Sequence, residues 1–390
     1  MTVDSSVKDE EPVVHDARFS GYRGICITGG SGAYVWDDQG SRYLDATSMY
    51  GVASIGHAHP SVARAVGEQA ARLVSCFASY GNPQRDELCA RLSRLLDPLD
   101  RVFLCNSGTE AVEAAIKVAR WKTGRAGVVA LTGGFHGRTF GSLSATHRAS
   151  HRENLEPLVP GFVHVPQGDA DALEAALDDG TGLLLLEVVQ GEGGVRPLEG
   201  SYLRAAQQWC RERGILMCID EVQTGCGRTG AWFAYQHHGL DPDLVCVAKG
   251  IAGGVPLGAV ALRSGLADLP AGLHGSTFGG NPLSCAAANA TLQIMESEGL
   301  VDRSRELGIW LEEQLRERLL PLPKVSRIRT LGLMAGIDVR GRVAPLLREL
   351  QGMGFLVLGA GPSTLRLLPP LVIEKQALSE LIDAIAEVLS

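Results

Sequence analysis

Three short segments carry residue types that could do chemistry. Lys249 follows the apolar run Asp243-Leu-Val-Cys-Val-Ala248 and precedes Gly250-Ile-Ala-Gly-Gly254. It therefore sits where a buried strand ends, and ligands in open α/β sheets bind beyond the carboxyl ends of strands. Desolvation there lowers an amine's pKa and favours the neutral nucleophile needed for a Schiff base. On this feature alone, a solvated lysine at a strand end is the simpler reading. Asp220 closes a second apolar run, Gly214-Ile-Leu-Met-Cys-Ile219. A carboxylate in that place can bind a metal, act as a base or keep a pyridine nitrogen protonated. Asn106-Ser-Gly-Thr-Glu110 joins the run Val102–Cys105 to a helix beginning near Thr109. Small residues at such a turn let backbone N–H groups and the helix dipole hold an anion, typically a phosphate. The same residues also serve as a plain N-cap, with Ser107 or Thr109 followed by Glu110 and Glu113. The turn is not a Walker loop, because no lysine follows at the required spacing. No Gly-x-Gly-x-x-Gly occupies the first strand-to-helix turn, which excludes a dinucleotide fold.

These segments need a scaffold, and the periodicity supplies one. Seven short apolar runs follow one another: Val102–Cys105, Gly127–Leu131, Phe162–Val165, Leu183–Glu187, Ile215–Ile219, Leu244–Val247 and Leu257–Leu262. Helical stretches are expected between them near Thr109–Lys122, Asp171–Leu177, Tyr202–Arg213 and Ala231–His237, with two more before them at Pro60–Val74 and Gln84–Leu96. Buried strands alternating with helices predict an α/β layer fold around a mostly parallel seven-stranded sheet. Ala33–Asp37 and Ser41–Leu44 flank Asp38-Gln-Gly40 and read as a hairpin. Past Pro282 the pattern changes. Helices Ser284–Ser297 and Leu300–Leu319 lead to strands Arg327–Leu331 and Leu333–Val339, a helix Ala344–Met353, strands Phe355–Leu358 and Thr364–Leu367, and a helix Lys375–Leu389. The expected organisation is a flexible tail at 1–20, an N-terminal part of a small α+β domain at 21–50, a large domain at 51–282 and the rest of the small domain at 283–390.

Composition narrows the function classes. The chain has 390 residues, 45% of them hydrophobic and 21% charged, with a formal charge of −8. An acidic balance argues against nucleic acid or anionic membrane partners, and no apolar run approaches the ~20 residues of a membrane span. The first residues carry Asp4, Asp9, Glu10 and Glu11 without an apolar stretch, so no secretory leader is expected. Nine scattered cysteines without a Cys-x-x-Cys pair read as free thiols in a reducing cytoplasm, with no metal site. Only six of the 36 basic residues are lysines, so a catalytic lysine has few candidate positions.

A phosphate cradle, a pyridinium partner and a strand-end lysine, in that order, match what pyridoxal 5'-phosphate (PLP) requires. The motifs go further. Asn106-Ser-Gly-Thr-Glu-Ala111, Gly134-Phe-His-Gly-Arg-Thr139, Gln190-Gly-Glu-Gly-Gly194, Ile219-Asp-Glu-Val-Gln-Thr-Gly-Cys-Gly-Arg-Thr-Gly230, Ala248-Lys-Gly250 and Gly275-Ser-Thr-Phe-Gly-Gly-Asn-Pro282 occur in register. With them the sequence resembles the class III, ornithine/acetylornithine-type aminotransferases of PLP fold type I, from about Gly21 to Leu389.

The resemblance implies a role for each matching residue. Lys249 bonds the cofactor and then shuttles the substrate proton; Asp220 pairs with the pyridine nitrogen; Gln223 bonds the ring hydroxyl. Ser107, Gly108 and Thr109 hold the phosphate, and Phe135 stacks on the ring. Thr277 reaches the phosphate of a neighbouring subunit's cofactor, which makes the active site a feature of a homodimer. Arg366 clamps the substrate α-carboxylate, for which a bidentate guanidinium is suited. Glu192 masks Arg366 when the transferred amine is not an α-amine, Arg138 takes the distal carboxylate of glutamate or 2-oxoglutarate, and Tyr50 lines the pocket. One departure is Val188 after Glu187, where the family often has proline.

Within the family the wording is similar to the acetylornithine branch, and more narrowly to the transaminases of a lysine pathway that carry the substrate on a small acidic amino-group carrier protein. Ser48-Met-Tyr-Gly-Val52 and Ala360-Gly-Pro-Ser-Thr-Leu-Arg-Leu-Leu-Pro-Pro370 point that way. The segment Thr146-His-Arg-Ala-Ser-His-Arg152 is locally basic and suits either a rim that docks an acidic carrier or a solvated loop. A fold-type-I decarboxylase or aminomutase would share Lys249 but has no need of the Arg138, Glu192 and Arg366 set.

Overall fold

The computed structural model describes residues 23–390; the tail expected at 1–20 lies outside them. Seven strands form the central sheet in the spatial order Arg101–Cys105, Gly258–Leu262, Leu244–Val247, Leu216–Asp220, Thr181–Leu186, Gly127–Leu131, Phe162–Val165. Every neighbouring pair is parallel except the two that involve Gly258–Leu262. All seven expected apolar runs are in this sheet. Side chains alternate across it with a period of two: Val129, Leu131, Leu184, Leu186, Val245 and Val247 enter the core on one face. Val128, Ala130, Leu183, Leu185, Cys218 and Cys246 enter the core on the other. Helices cover both faces, which is why the strands read as continuous apolar runs rather than alternating ones.

The sheet sends its chemistry to one rim. Ser107 and Gly108 follow the first strand in sequence, Phe135 and His136 the second, and Glu187 the fourth, while Asp220 ends the fifth and Lys249 lies two residues past the sixth. Helix Gly108–Thr123 starts at the rim with Ser107 as N-cap and stops at Gly124, whose φ of +68° is natural for glycine.

The chain ends make two smaller sheets. Strands Ile27–Ser31, Tyr34–Asp37 and Arg42–Asp45 join Phe355–Leu356, which runs parallel to Arg42–Asp45. The second comprises Val325–Leu331, Met334–Val339, Thr364–Leu367 and Leu358–Ala360, all antiparallel. It places Arg366 opposite Gly336.

Two expectations need correction. Ala231–His237 is not an α-helix; only a 3-10 turn, Ala234–His238, forms there. Side chains replace the helical ladder: the Tyr235 N–H donates to the Glu221 carboxylate (2.8 Å) and the Phe233 N–H to Gln236 Oε1 (3.0 Å). The run Phe355–Leu358 is not one strand but two short ones, Phe355–Leu356 and Leu358–Ala360, in different sheets. Strand Ile27–Ser31 and the helix Phe140–Ala145 carry little periodic signal and were not expected. Among the described residues no helix is long and apolar enough to cross a membrane.

Candidate active site

A cavity of about 400 Å³ opens at the rim of the central sheet, a size ordinary for a small-ligand site. Lys249, Asp220, Gln223, Glu192, Phe135 and the Ser107–Thr109 turn all line it. Lys249 has a left-handed φ of +43°, a conformation that costs about 1–3 kcal/mol and persists only when the surroundings enforce it. Burial lowers the pKa of its amine, against the opposing pull of Glu192. The amine is thereby shifted toward the free base that a nucleophile needs.

Asp220 is buried and doubly held. Its Oδ1 accepts the Val222 N–H at 3.0 Å and its Oδ2 lies 2.8 Å from His136 Nδ1. Burial disfavours a charge on His136, but the hydrogen bond and the charge of Asp220, with Glu187 behind it, outweigh this and raise its pKa. Glu187 accepts the N–H groups of Phe135 (3.0 Å) and Gly191 (3.1 Å), and burial pushes its carboxyl up to about 7. The sequence reading assigned no role to His136 or Glu187. His136 stood inside a quoted motif, and Glu187 carries the signal used for Asp220, a carboxylate at the end of an apolar strand.

At the other end of the cavity, the helix N-terminus supplies N–H groups that the helix leaves unpaired. The backbone there is closely packed: a Cβ on Gly108 would lie 2.7 Å from Val222 Cγ1. Thr109 Oγ1 is held by Thr139 Oγ1 (2.8 Å) and Ser142 Oγ (2.6 Å).

Arg366 is fully buried. Its Nη1 forms an ion pair with Glu192 Oε1 at 2.7 Å and donates to Gln223 Oε1 at 3.0 Å, while Nε and Nη2 are buried without partners. Burial would raise the Glu192 pKa, but Arg366 overrides it and lowers it. The guanidinium carbon stands 5.9 Å from the centre of the Tyr50 ring. Tyr50 belongs to the unusual turn Ser48, Met49, Tyr50, three consecutive non-glycine residues at positive φ.

Four expected residues do not line the cavity: Arg366, Tyr50, Arg138 and Thr277. Arg138 is exposed at its edge, close enough to depress the pKa of His151. Thr277 is exposed too; its neighbour Ser276 accepts a hydrogen bond from Asn106 (3.1 Å) beside the helix N-terminus.

The donor set fits a planar, cationic heterocycle with an anionic tail and a carbonyl. Asp220 matches a ring N–H, the Gly108 turn matches the tail, and the buried amine of Lys249 matches the carbonyl. The turn itself packs closely, since a Cβ on Gly108 would run into Val222.

Glu221, directly behind Asp220, gives a stability test. Burial pushes its carboxyl from 4.5 up to about 7. Between those values the folded protein holds a proton that the unfolded chain has lost, so this group's contribution to stability falls as pH rises from about 4.5 to 7. Glu221→Gln cannot ionise. Its melting temperature relative to wild type is expected to be higher at pH 8 than at pH 5, as read by calorimetry of the holoenzyme.

The sequence matches the family described as Aminotransferase class-III over residues 17–389. It is 43% identical over 371 residues to a [LysW]-aminoadipate semialdehyde transaminase of Deinococcus radiodurans, covering 94% of this chain and 86% of that protein. It is 44% identical over 368 residues to an acetylornithine aminotransferase of Methanothermobacter thermautotrophicus, covering 94% of each. The fold superposes on an ornithine aminotransferase from Toxoplasma gondii with a TM-score of 0.92 at 34% identity, over 96% of this chain and 92% of that one. With a family match along nearly its whole length and a fold shared with a solved member, the chain belongs to the class III aminotransferases and is a PLP-dependent transferase.

Proposed function

We propose that the enzyme moves an amino group between glutamate/2-oxoglutarate and the terminal aldehyde of an N-acylated or carrier-protein-bound amino acid semialdehyde. The observation that carries this reading is the pairing of fully buried Arg366 with half-buried Glu192, which lines the cavity beside Lys249. Glutamate reacts at its α-amine and presents an α-carboxylate; Arg366 can bind it only when Glu192 moves aside. A terminal amine brings no carboxylate to that position, and Glu192 then keeps the guanidinium neutralised in place. One pocket thus accepts two differently built amines in turn.

Bound PLP supplies the electron sink that stabilises negative charge at the amino-bearing carbon. The chain does the rest. Lys249 would take the proton from that carbon, hold it on Nζ and return it two atoms along, on the far side of the transferred nitrogen, and Asp220, fixed by His136, would keep the ring nitrogen protonated. Gln223 serves the ring hydroxyl, Phe135 covers the ring, and Ser107, Gly108 and Thr109 receive the phosphate. Exposed Arg138 takes the distal carboxylate of glutamate, and Tyr50 closes the substrate side over Arg366. A homodimer accounts for exposed Thr277, which would reach the phosphate bound by a second copy. Exposed Phe278, Tyr80 and Phe77 supply apolar surface for that contact.

Two acceptors share this chemistry and differ in what is attached to the α-nitrogen. One relative's name points to a carrier-linked semialdehyde and another's to N-acetylornithine. The experiment is kcat/KM for N-acetylornithine against the carrier-linked amine. A strong preference for the carrier-linked substrate, weakened by Arg148→Glu with Arg152→Glu, supports carrier docking on the basic rim. Preference for free N-acetylornithine, unaffected by those changes, makes the acetylornithine reading correct.

A further inference from the structure

Beyond the groups given roles above, a polar side chain that does not itself line the cavity packs against Phe135, which does. His151 ends the 3-10 turn Ala149–His151 and meets the Phe135 ring edge to face, with centroids 5.7 Å apart and planes at 77°. It is half-buried. The charges that bear on it are Arg138 and Arg148 on one hand and Glu192 on the other, and no hydrogen bond contributes to its titration. Burial and the two arginines hold its pKa below the ordinary histidine value. At neutral pH the ring is therefore an uncharged imidazole with one N–H donor and one nitrogen acceptor.

The shape of the proposed substrate says what belongs there. When a terminal amine lies at Lys249, the far end of the molecule points to the mouth. That far carbon carries both the carboxylate and the acylated nitrogen. A residue that reads the amide must therefore stand beside the one that takes the carboxylate, and His151 stands beside Arg138. A neutral imidazole can donate to the amide oxygen or accept from the amide N–H. A free α-ammonium would instead be placed among arginine cations, with a single weak acceptor.

We infer that His151 is a specificity-determining residue that hydrogen-bonds the secondary amide on the substrate's α-nitrogen and so selects N-acylated over free diamino acids. The inference rests on the acceptor chemistry proposed above, and it applies equally to an acetyl or a carrier-linked acyl group.

The test uses single-turnover half-reactions of the PLP-loaded enzyme with glutamate, N-acetylornithine and ornithine. His151→Phe keeps an aromatic edge against Phe135 but removes both polar atoms. It is expected to lower kcat/KM for N-acetylornithine about tenfold more than for glutamate, the scale of one lost hydrogen bond. The loss should fall on KM, and the preference for N-acetylornithine over ornithine should narrow. His151→Gln, which again offers a donor and an acceptor, should recover most of that preference. Equal losses on all three amines would show a packing role and overturn the inference, as would an unchanged preference. If wild type converts glutamate but neither of these terminal amines nor the carrier-linked amine, the acceptor reading itself fails and the inference falls with it; if only the carrier-linked amine is converted, the same comparison is made with it in place of N-acetylornithine. Preference of wild type for N-acetylornithine with no effect of His151→Phe would sink the inference alone.

Discussion

Lys249→Ala is expected to lower the rate of amino transfer by ~10⁴-fold or more, the scale of losing a positioned proton-transfer group. Among the described residues no other lysine is placed to substitute. Lys117 lies beside His274, Lys122 pairs with Asp268, Lys324 reaches the Val388 carbonyl and Lys375 lies over the Trp310 ring. None of these lines the cavity, whereas Lys249 lines it at a backbone angle that only a tightly determined loop retains. The variant should keep its fold, because alanine also tolerates the surrounding space. Rapid-mixing absorbance with glutamate measures the step directly. Adding a small primary amine such as methylamine should restore part of the rate, since the missing group is an amine base. A variant that still turned over within tenfold of wild type would place the proton carrier on another residue.

Arg366→Leu should lower kcat/KM for glutamate by about 10²–10³, because a buried bidentate contact to a carboxylate is lost and lysine cannot reproduce its planar fork. It also strands Glu192. Half-buried Glu192 can meet water in the cavity, so only a modest fall in melting temperature should accompany the kinetic loss. Glu192→Gln separates the two functions of the pair. Glutamate turnover should persist, since the guanidinium is then always open to its carboxylate. Turnover of a terminal amine should fall, since nothing neutralises Arg366 when that substrate is bound. Both half-reactions, followed for both variants, read this out. Loss of glutamate turnover alone in Glu192→Gln would reverse the assignment.

Much of this arrangement was legible in the chain because the apolar runs are short, bounded and buried on both faces. All seven runs formed the central sheet, and Ser107, Phe135, Glu187, Asp220 and Lys249 converge on one cavity because the strands they follow are parallel. Lys249, Asp220 and the Ser107–Thr109 turn were visible for that reason. Arg366 was visible only through its motif, since a lone arginine in a strand carries no local sign of being buried. What remained hidden depends on contacts across distant segments. The His136–Asp220 bond spans 84 residues, and the link from Glu187 to Phe135 spans 52. His151 read as one member of a basic run; only the fold shows its edge against Phe135. The loop at 231–237 misled because its helical spacing is real but its N–H groups are taken by Glu221 and Gln236.

The most direct measurement is a glutamate half-reaction with the PLP-loaded enzyme and no acceptor. The account predicts a change in the cofactor's absorbance and release of one equivalent of 2-oxoglutarate per chain, after which the reaction stops. Addition of an N-acylated semialdehyde should restore the original spectrum and yield the corresponding terminal amine. A cofactor spectrum that glutamate leaves unchanged, with no 2-oxoglutarate formed, would contradict the account at its centre.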